Sequence, residues 1–88
     1  MVSFNEAINI VREHFIYDYV TEGFEYDGEY VFRILSHDYK KMYFQQAHLV
    51  SVNINTGELE LFEPGKAFND LEGYAKAQKK SVIIDSYE

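Results

Sequence analysis

The chain has 88 residues, of which 15 are acidic and 8 are basic, so its formal net charge is −7. This length fits one domain over residues 1–88, and the absence of cysteine excludes disulfide scaffolds, thiolate metal sites and cysteine nucleophiles. The acidic balance argues against nucleic-acid binding, which depends on lysine and arginine at phosphates. No apolar stretch is long enough to span a membrane, and the amino terminus lacks the basic and apolar regions of a signal peptide, so we expect a cytoplasmic protein.

The first segment predicts an amphipathic helix. Ser3 and Glu6 have the spacing of a capping box, in which each side chain satisfies a free backbone amide of the other residue. The apolar residues of this segment recur on one helical face: Phe4, Ala7, Ile8, Val11 and Phe15. No glycine or proline precedes Gly23, so the end of the helix stays open between His14 and Tyr19.

A β-hairpin is predicted next. Asp27-Gly28 is a preferred two-residue turn, because both of its positions must tolerate positive φ. The strand that follows, 29–35, has mainly apolar residues on both of its faces, which indicates a central strand of a sheet. The segment 37–46 is less clear: it suggests a turn, and Met42 is where another strand could begin.

A second hairpin is predicted over residues 47–62. Asn55-Thr56-Gly57 forms a compact turn, with glycine where a left-handed residue is needed. Residues 58–61 alternate glutamate with leucine, which is typical of an edge strand with one solvated face. Pro64-Gly65 ends this strand.

The last third of the chain predicts a helix. Asn69 and Glu72 resemble a helix cap, and an apolar stripe follows at Leu71, Tyr74 and Ala75. The run 82–84 either forms a final strand or packs under this helix. The expected fold class is therefore α+β, with an N-terminal helix packed on an antiparallel sheet of about four strands and a C-terminal helix.

Catalytic and metal-binding chemistry receives little support from the sequence. His14, His37 and His48 are far apart in the chain and form no ligand pair of the kind found in zinc sites. The serines lie in no nucleophile elbow, and the five glycines are too dispersed for a phosphate-binding loop. We therefore expect no enzyme, no cofactor and no metal. An enzyme that uses His37 or His48 with a nearby carboxylate is the weakest alternative.

The charges are unevenly distributed. Residues 1–30 contain seven acids and one base (net −6), residues 31–57 one acid and three bases (net +2), and residues 58–88 seven acids and four bases (net −3). Tyrosines are interleaved with the acids of 17–30. Carboxylates can steer a basic protein to its site, and tyrosines can supply buried contact and hydrogen bonds. The predicted partner-binding residues are Tyr17, Asp18, Tyr19, Glu22, Glu25, Tyr26, Asp27, Glu29 and Tyr30. The alternative is that these acids only solubilise a hairpin.

Two segments resemble known families. They are the opening Phe4-Asn5-Glu6-Ala7-Ile8 helix and the hairpin Val50-Ser51-Val52-Asn53-Ile54-Asn55-Thr56-Gly57-Glu58-Leu59, followed by Pro64 and a short helix. Together they resemble the small bacterial toxin-immunity domains of the YrhB-like type, in which an N-terminal helix packs on an antiparallel sheet. The Asn53–Glu58 stretch is also similar to the D-x-x-T-G-E turn of PepSY domains, with asparagine in place of the acid. The first resemblance implies a noncatalytic protein that binds and neutralises a partner toxin.

Two functional hypotheses follow from these observations. The first is a cytoplasmic binding domain of immunity or inhibitor type, which docks a basic protein through the acidic, tyrosine-rich region 17–30. The second is a structural or homo-oligomeric domain, such as a homodimer, in which an edge formed by 58–62 or by the Val82 tail pairs with another copy. Neither hypothesis includes nucleic acid or a membrane as a partner.

Overall fold

The structure, a computed structural model, describes residues 1–16, 18–35 and 48–85. Its elements are α1 (Phe4–His14), β1 (Tyr19–Tyr26), β2 (Glu29–Leu35), β3 (His48–Asn53), β4 (Leu59–Leu61), α2 (Pro64–Asn69), α3 (Leu71–Gln78) and β5 (Val82–Ile83). The strands form one antiparallel sheet in the order β4-β3-β2-β1-β5. The predicted α+β class is confirmed. Among the described residues the sheet has five strands rather than about four, because the run near Val82 is a strand. The segment 37–46, where Met42 could begin another strand, lies outside these residues.

The predicted capping box begins α1. The Ser3 hydroxyl accepts a hydrogen bond from the Glu6 amide, and the Ser3 amide donates to Glu6 Oε1, each at 3.1 Å. These bonds from Ser3 lower the pKa of Glu6 below its ordinary value, because they favour the ionised carboxylate. The helix buries Ala7 and Val11 completely, as the spacing of its apolar residues predicts.

Both predicted turns are present. Asp27 and Gly28 have φ angles of +49° and +76°, as a two-residue hairpin turn of this kind requires. Gly57 has a φ of +76° in the second turn. The Asn53 side chain accepts hydrogen bonds from the amides of Asn55 and Thr56, at 2.8 and 3.0 Å, so the residue before the turn also stabilises it.

Helices cover both faces of the sheet. On one face, α1 packs on Val20, Phe32, Ile34, Val50 and Val52. On the other face, α2 and α3 contribute to a second apolar cluster built from Phe24, Val31 and Phe62 together with Leu49, Ala67, Tyr74 and Ala77. Successive residues of a strand point to opposite faces, so a strand in the middle of such a sheet has mainly apolar residues on both faces. The place of β2 between β3 and β1 confirms the prediction that 29–35 is a central strand.

The C-terminal helical region differs from its prediction in three ways. β4 already ends at Leu61, and Pro64 begins a separate helix, α2, where the residue pattern predicted only the end of the strand. The predicted cap at Asn69 is wrong: Asp70 is the cap of α3, and its Oδ1 accepts from the Gly73 amide at 3.2 Å. The predicted stripe is wrong at two of its three positions, because Leu71 and Ala75 are exposed whereas Tyr74 packs on the sheet. The face that α3 buries is decided by the sheet beneath it rather than by the apolar content of the helix itself.

The carboxylate of Asp85, two residues after β5, bonds to two other parts of the fold. Asp85 Oδ2 accepts from the Val20 amide at 3.0 Å, and Asp85 Oδ1 accepts from Arg12 at 2.7 Å. The register of β1 shifts between Val20 and Glu22, and the intervening Thr21 donates its hydroxyl to the Arg33 carbonyl at 3.3 Å. Asp85 therefore links α1, the irregular part of β1 and the end of the chain segment that holds β5.

We expect Asp85→Ala to lower the free energy of unfolding by about 1 kcal/mol, because it removes a charge-assisted bond to a backbone amide in the irregular part of β1. Hydrogen exchange of the Val20 amide should become faster in the same variant. Asp85→Asn retains a neutral acceptor, so its free energy of unfolding should lie between those of the parent and Asp85→Ala. Glu13→Ala, at an exposed position of α1, is the control. Unchanged protection of Val20 in Asp85→Ala would contradict this role.

Candidate protein-binding surface

The residues predicted to bind a partner lie on both faces of the sheet. Tyr17 is outside the described residues. In the pairing of β1 with β2, Glu25 lies opposite Tyr30 on the α1 face, and Tyr26 lies opposite Glu29 on the face covered by α2 and α3. Asp18 and Tyr19 are half-buried at the other end of β1 from the Asp27 turn. The predicted partner-binding residues are close together in the sequence, but only some of them lie on the same surface.

Two of the predicted tyrosines have structural contacts. The Tyr30 hydroxyl donates to the Val2 carbonyl at 3.1 Å, and its ring meets the ring of Phe4 edge-on with centroids 5.5 Å apart. The Tyr26 ring packs edge-on against Tyr74 at 5.3 Å, and its hydroxyl donates to Asp70 Oδ2 at 3.1 Å. Burial and this bond to Asp70 raise the pKa of Tyr26, so the hydroxyl stays protonated and remains a donor.

Two of the predicted carboxylates are neutralised by bases from elsewhere in the fold. Glu29 forms an ion pair with Lys66 of α2, and its side chain is only 12% exposed. Burial would raise the pKa of Glu29, but hydrogen bonds with Lys66 and Ser51 outweigh burial and lower it. Glu22 Oε1 lies 3.8 Å from an Arg33 nitrogen, and its other oxygen accepts from the Ser81 hydroxyl at 3.3 Å. Glu22 and Glu29 therefore acquire their bases through tertiary contacts.

A polar cleft opens where the β1–β2 turn meets α2. Its volume is about 420 Å³, and it is lined by Tyr26, Asp27, Lys66, Asn69 and Asp70. The pair formed with Glu29 raises the pKa of Lys66, and the nearby charges of Asp27 and other carboxylates raise it further, so the amine stays protonated. The positive charge of Lys66 is paired with Glu29, whereas the carboxylates of Asp27 and Asp70 lie on exposed residues. The cleft is therefore an acidic recess with an aromatic wall, which we name the hairpin cleft.

Exposed apolar side chains adjoin the hairpin cleft in the chain. Phe68 is 73% exposed and Leu71 is 63% exposed, and these two residues flank Asn69 and Asp70 on either side. Large apolar groups beside a polar recess are typical of a binding surface, in which an apolar anchor is combined with charged contacts. The corner between α2 and α3 thus offers an anchor beside the acidic recess.

The cleft residues from α2 and α3 were not predicted. Lys66, Asn69 and Asp70 lie far from 17–30 in the sequence and reach the turn only through the packing of both helices on the sheet. One sequence signal points to this region: Phe68 is a large aromatic residue outside the predicted apolar stripe, so it has no assigned place in a core. An unassigned aromatic residue next to two polar residues that favour helix caps is a signal that could have identified the corner.

The histidines give no ligand set in the described part of the chain. His37 is outside the described residues, His48 is exposed on β3, and His14 lies at a second cleft of about 370 Å³. Among residues 1–16, 18–35 and 48–85, no three His, Asp or Glu side chains form a group that could hold a metal ion. In the same ranges, no helix has the length and apolar character needed to cross a membrane.

Comparisons with family models, curated proteins and solved structures found no match to this chain.

Proposed function

We propose that this chain is a noncatalytic protein-binding domain that docks a basic protein at the hairpin cleft and the adjoining corner of α2 and α3. The cleft carries the proposal, because it combines the exposed carboxylates of Asp27 and Asp70 with the exposed apolar groups Phe68 and Leu71. A lysine or arginine of the partner would enter the recess beside Tyr26. An apolar residue of the partner would cover Phe68.

The proposed site narrows the acidic, tyrosine-rich region to its hairpin end. Asp27 and Tyr26 contribute directly to the cleft, and exposed Glu25 adds charge beside it. Glu29 acts indirectly. It binds Lys66, the one base among the described residues that line the cleft, and so keeps that amine from competing with a base of the partner. The immunity or inhibitor role and a cytoplasmic location are part of the proposal, and they rest on the family resemblance and on the charge and composition of the chain.

The test separates charge steering from apolar anchoring. We expect Asp27→Asn with Asp70→Asn to slow association with a basic partner by about tenfold at low salt, because two steering charges are removed while both side chains keep their shape. Asparagine also retains the acceptor that caps α3 and tolerates the positive φ of position 27. Phe68→Ser should instead speed dissociation, because it removes the anchor.

The probe is the protein captured from the host lysate at low salt, then purified and measured against each variant by surface plasmon resonance. Glu13→Gln with Glu60→Gln is the matched control, since it changes the net charge equally at exposed sites outside the cleft lining. Equal association rates for both double variants would reject the cleft as the docking site. Failure to capture any partner whose binding weakens with salt would reject the proposed function itself.

A further inference from the structure

In the part of the chain that the structure describes, β4 and β5 have no strand on their outer sides, and the exposed charges beside these two edges are opposite in sign. At the β4 edge, Leu61 is 73% exposed, and Glu58, Glu60 and Glu63 are exposed around it. At the β5 edge, Val82 is 53% and Ile83 is 80% exposed, and Lys79 and Lys80 precede them. Each edge therefore combines apolar side chains with exposed charges of one sign, and the two signs are complementary. Asp85, which follows β5, is half-buried and pairs with Arg12.

Unpaired backbone groups are available at the β4 edge. The Phe62 amide donates to the Leu49 carbonyl at 3.0 Å, and the Asn53 amide donates to the Glu58 carbonyl at 2.9 Å. Because backbone groups in an antiparallel strand alternate between its two sides, Leu59 and Leu61 direct their amides and carbonyls away from β3. A short, charged edge strand usually resists pairing with another chain. A partner edge of opposite charge is attracted instead of repelled.

Apolar side chains of the two edges lie on the same side of the sheet. Leu59 and Leu61 pair with Val52 and Val50, so they lie on the α1 side of the sheet. They line the second cleft together with Phe15. Val82 pairs with Gly23, opposite Phe32, which places it on the same side of the sheet. If the β5 edge of one copy continues the sheet beyond β4 of another, the exposed Val82 side chain meets Leu61 at this cleft.

One strand direction follows from that alignment of faces. Because every neighbouring pair in the order β4-β3-β2-β1-β5 is antiparallel, β4 and β5 run in the same direction, so they pair in parallel when the α1 sides of both copies align. With Leu61 opposite Val82 of the second copy, parallel pairing places Lys79 opposite Glu58. Oppositely charged residues across a strand pair are stabilising, whereas two β4 edges would bring glutamates against glutamates. The complementary arrangement is therefore head-to-tail rather than β4 against β4.

We propose that this chain self-associates head-to-tail, with the β5 edge of one copy docking on the β4 edge of the next. A heterologous contact of this kind uses two different surfaces, so each added copy presents a free edge, and assembly continues beyond a dimer unless a ring closes. The contact involves neither the hairpin cleft nor Phe68. A chain that does not self-associate would therefore leave the proposed docking of a basic protein untouched, and the reverse also holds.

Charge reversal at each edge tests the proposal by sedimentation velocity at low salt, with the full chain. The parent chain should show an average mass that rises with concentration and falls with added salt. Glu58→Lys with Glu63→Lys, and separately Lys79→Glu with Lys80→Glu, should each remain monomeric. An equimolar mixture of these two variants should associate again, because each supplies the charge that the other has lost.

Glu13→Lys with Glu72→Lys is the matched control, since it shifts the net charge as the first variant does but changes exposed residues of α1 and α3 rather than residues of an edge; it should associate like the parent. Circular dichroism establishes that each variant is folded. A parent chain that stays monomeric at millimolar concentration would overturn the proposal. So would a mixture of the two edge variants that does not associate, or an assembly that stops at a dimer in which the β4 reversals have no effect.

Discussion

Gly23→Ala is expected to destabilise the fold by about 1–3 kcal/mol, the range found when extra atoms are forced into a packed core. Gly23 lies opposite Phe32 on the α1 face of the sheet. A Cβ at this position would lie 2.5 Å from the Phe32 ring and 3.1 Å from the Phe4 ring. Phe32 is completely buried in the core cluster beneath α1, so a shift of its ring would displace other core side chains. Chemical denaturation of the purified variant measures the loss.

Two comparisons isolate this packing effect. Gly65→Ala is the control, because the added Cβ meets no atom within 4 Å from the rest of the described chain, outside its two neighbours and its own helix backbone, and alanine is favoured over glycine in a helix such as α2. Its stability should equal or slightly exceed that of the parent. In the Gly23→Ala variant, Phe32→Leu should lower the free energy of unfolding less than it does in the parent, since the smaller side chain relieves the clash. Additive losses from the two changes would contradict the clash.

Lys66→Met is expected to lower the free energy of unfolding by about 1–3 kcal/mol at neutral pH, because it leaves a mostly buried carboxylate without its cation. Glu29, whose side chain is 12% exposed, would retain only Ser51 as a side-chain hydrogen-bond partner among the groups that lower its pKa. The control is Lys76→Met. Lys76 and Glu72 form an ion pair with side chains 74% and 85% exposed, so its loss should cost less than about 0.5 kcal/mol.

The effect of Lys66→Met should depend on pH in a defined direction. Folding lowers the pKa of Glu29, so the ionised group stabilises the parent above the ordinary glutamate pKa, and that stabilisation is lost as the pH falls through the folded-state pKa. Without Lys66, burial disfavours the ionised form. The difference in stability between parent and variant should therefore narrow below about pH 4. A difference of the same size at pH 7 and pH 3 would show that the ion pair is not its source.

Local chemistry made much of the fold predictable. Ser3 and Glu6 interact across a single turn of helix, so their spacing alone indicates where α1 begins. The Asp27-Gly28 and Gly57 turns depend on backbone angles that few residues adopt. The apolar pattern on both faces of 29–35 reflects helices on both sides of the sheet. In each case the residues that determine the structure are neighbours in the sequence.

Tertiary contacts decided the features that were not predicted. Asn69 and Asp70 are both good helix caps, and the choice of Asp70 accompanies its contacts with Gly73 and with Tyr26, a residue of a distant strand. The hairpin cleft exists because α2 and α3 lie across the end of the first hairpin. Lys66 meets Glu29 through the same packing, so a count of charges along the chain could not reveal which carboxylates stay unpaired.

The placement of β5 bears on the speed of folding. Strands β1 to β4 pair with their neighbours in the chain, whereas β5 pairs with β1 and so closes a loop around the rest of the sheet. The entropic cost of closing a loop grows slowly, by about 0.6 kcal/mol for each doubling of its length. Folding rates fall more steeply as the mean sequence separation of native contacts rises. The two residues of β5 therefore affect how fast the sheet is completed more than their small share of its hydrogen bonds would indicate.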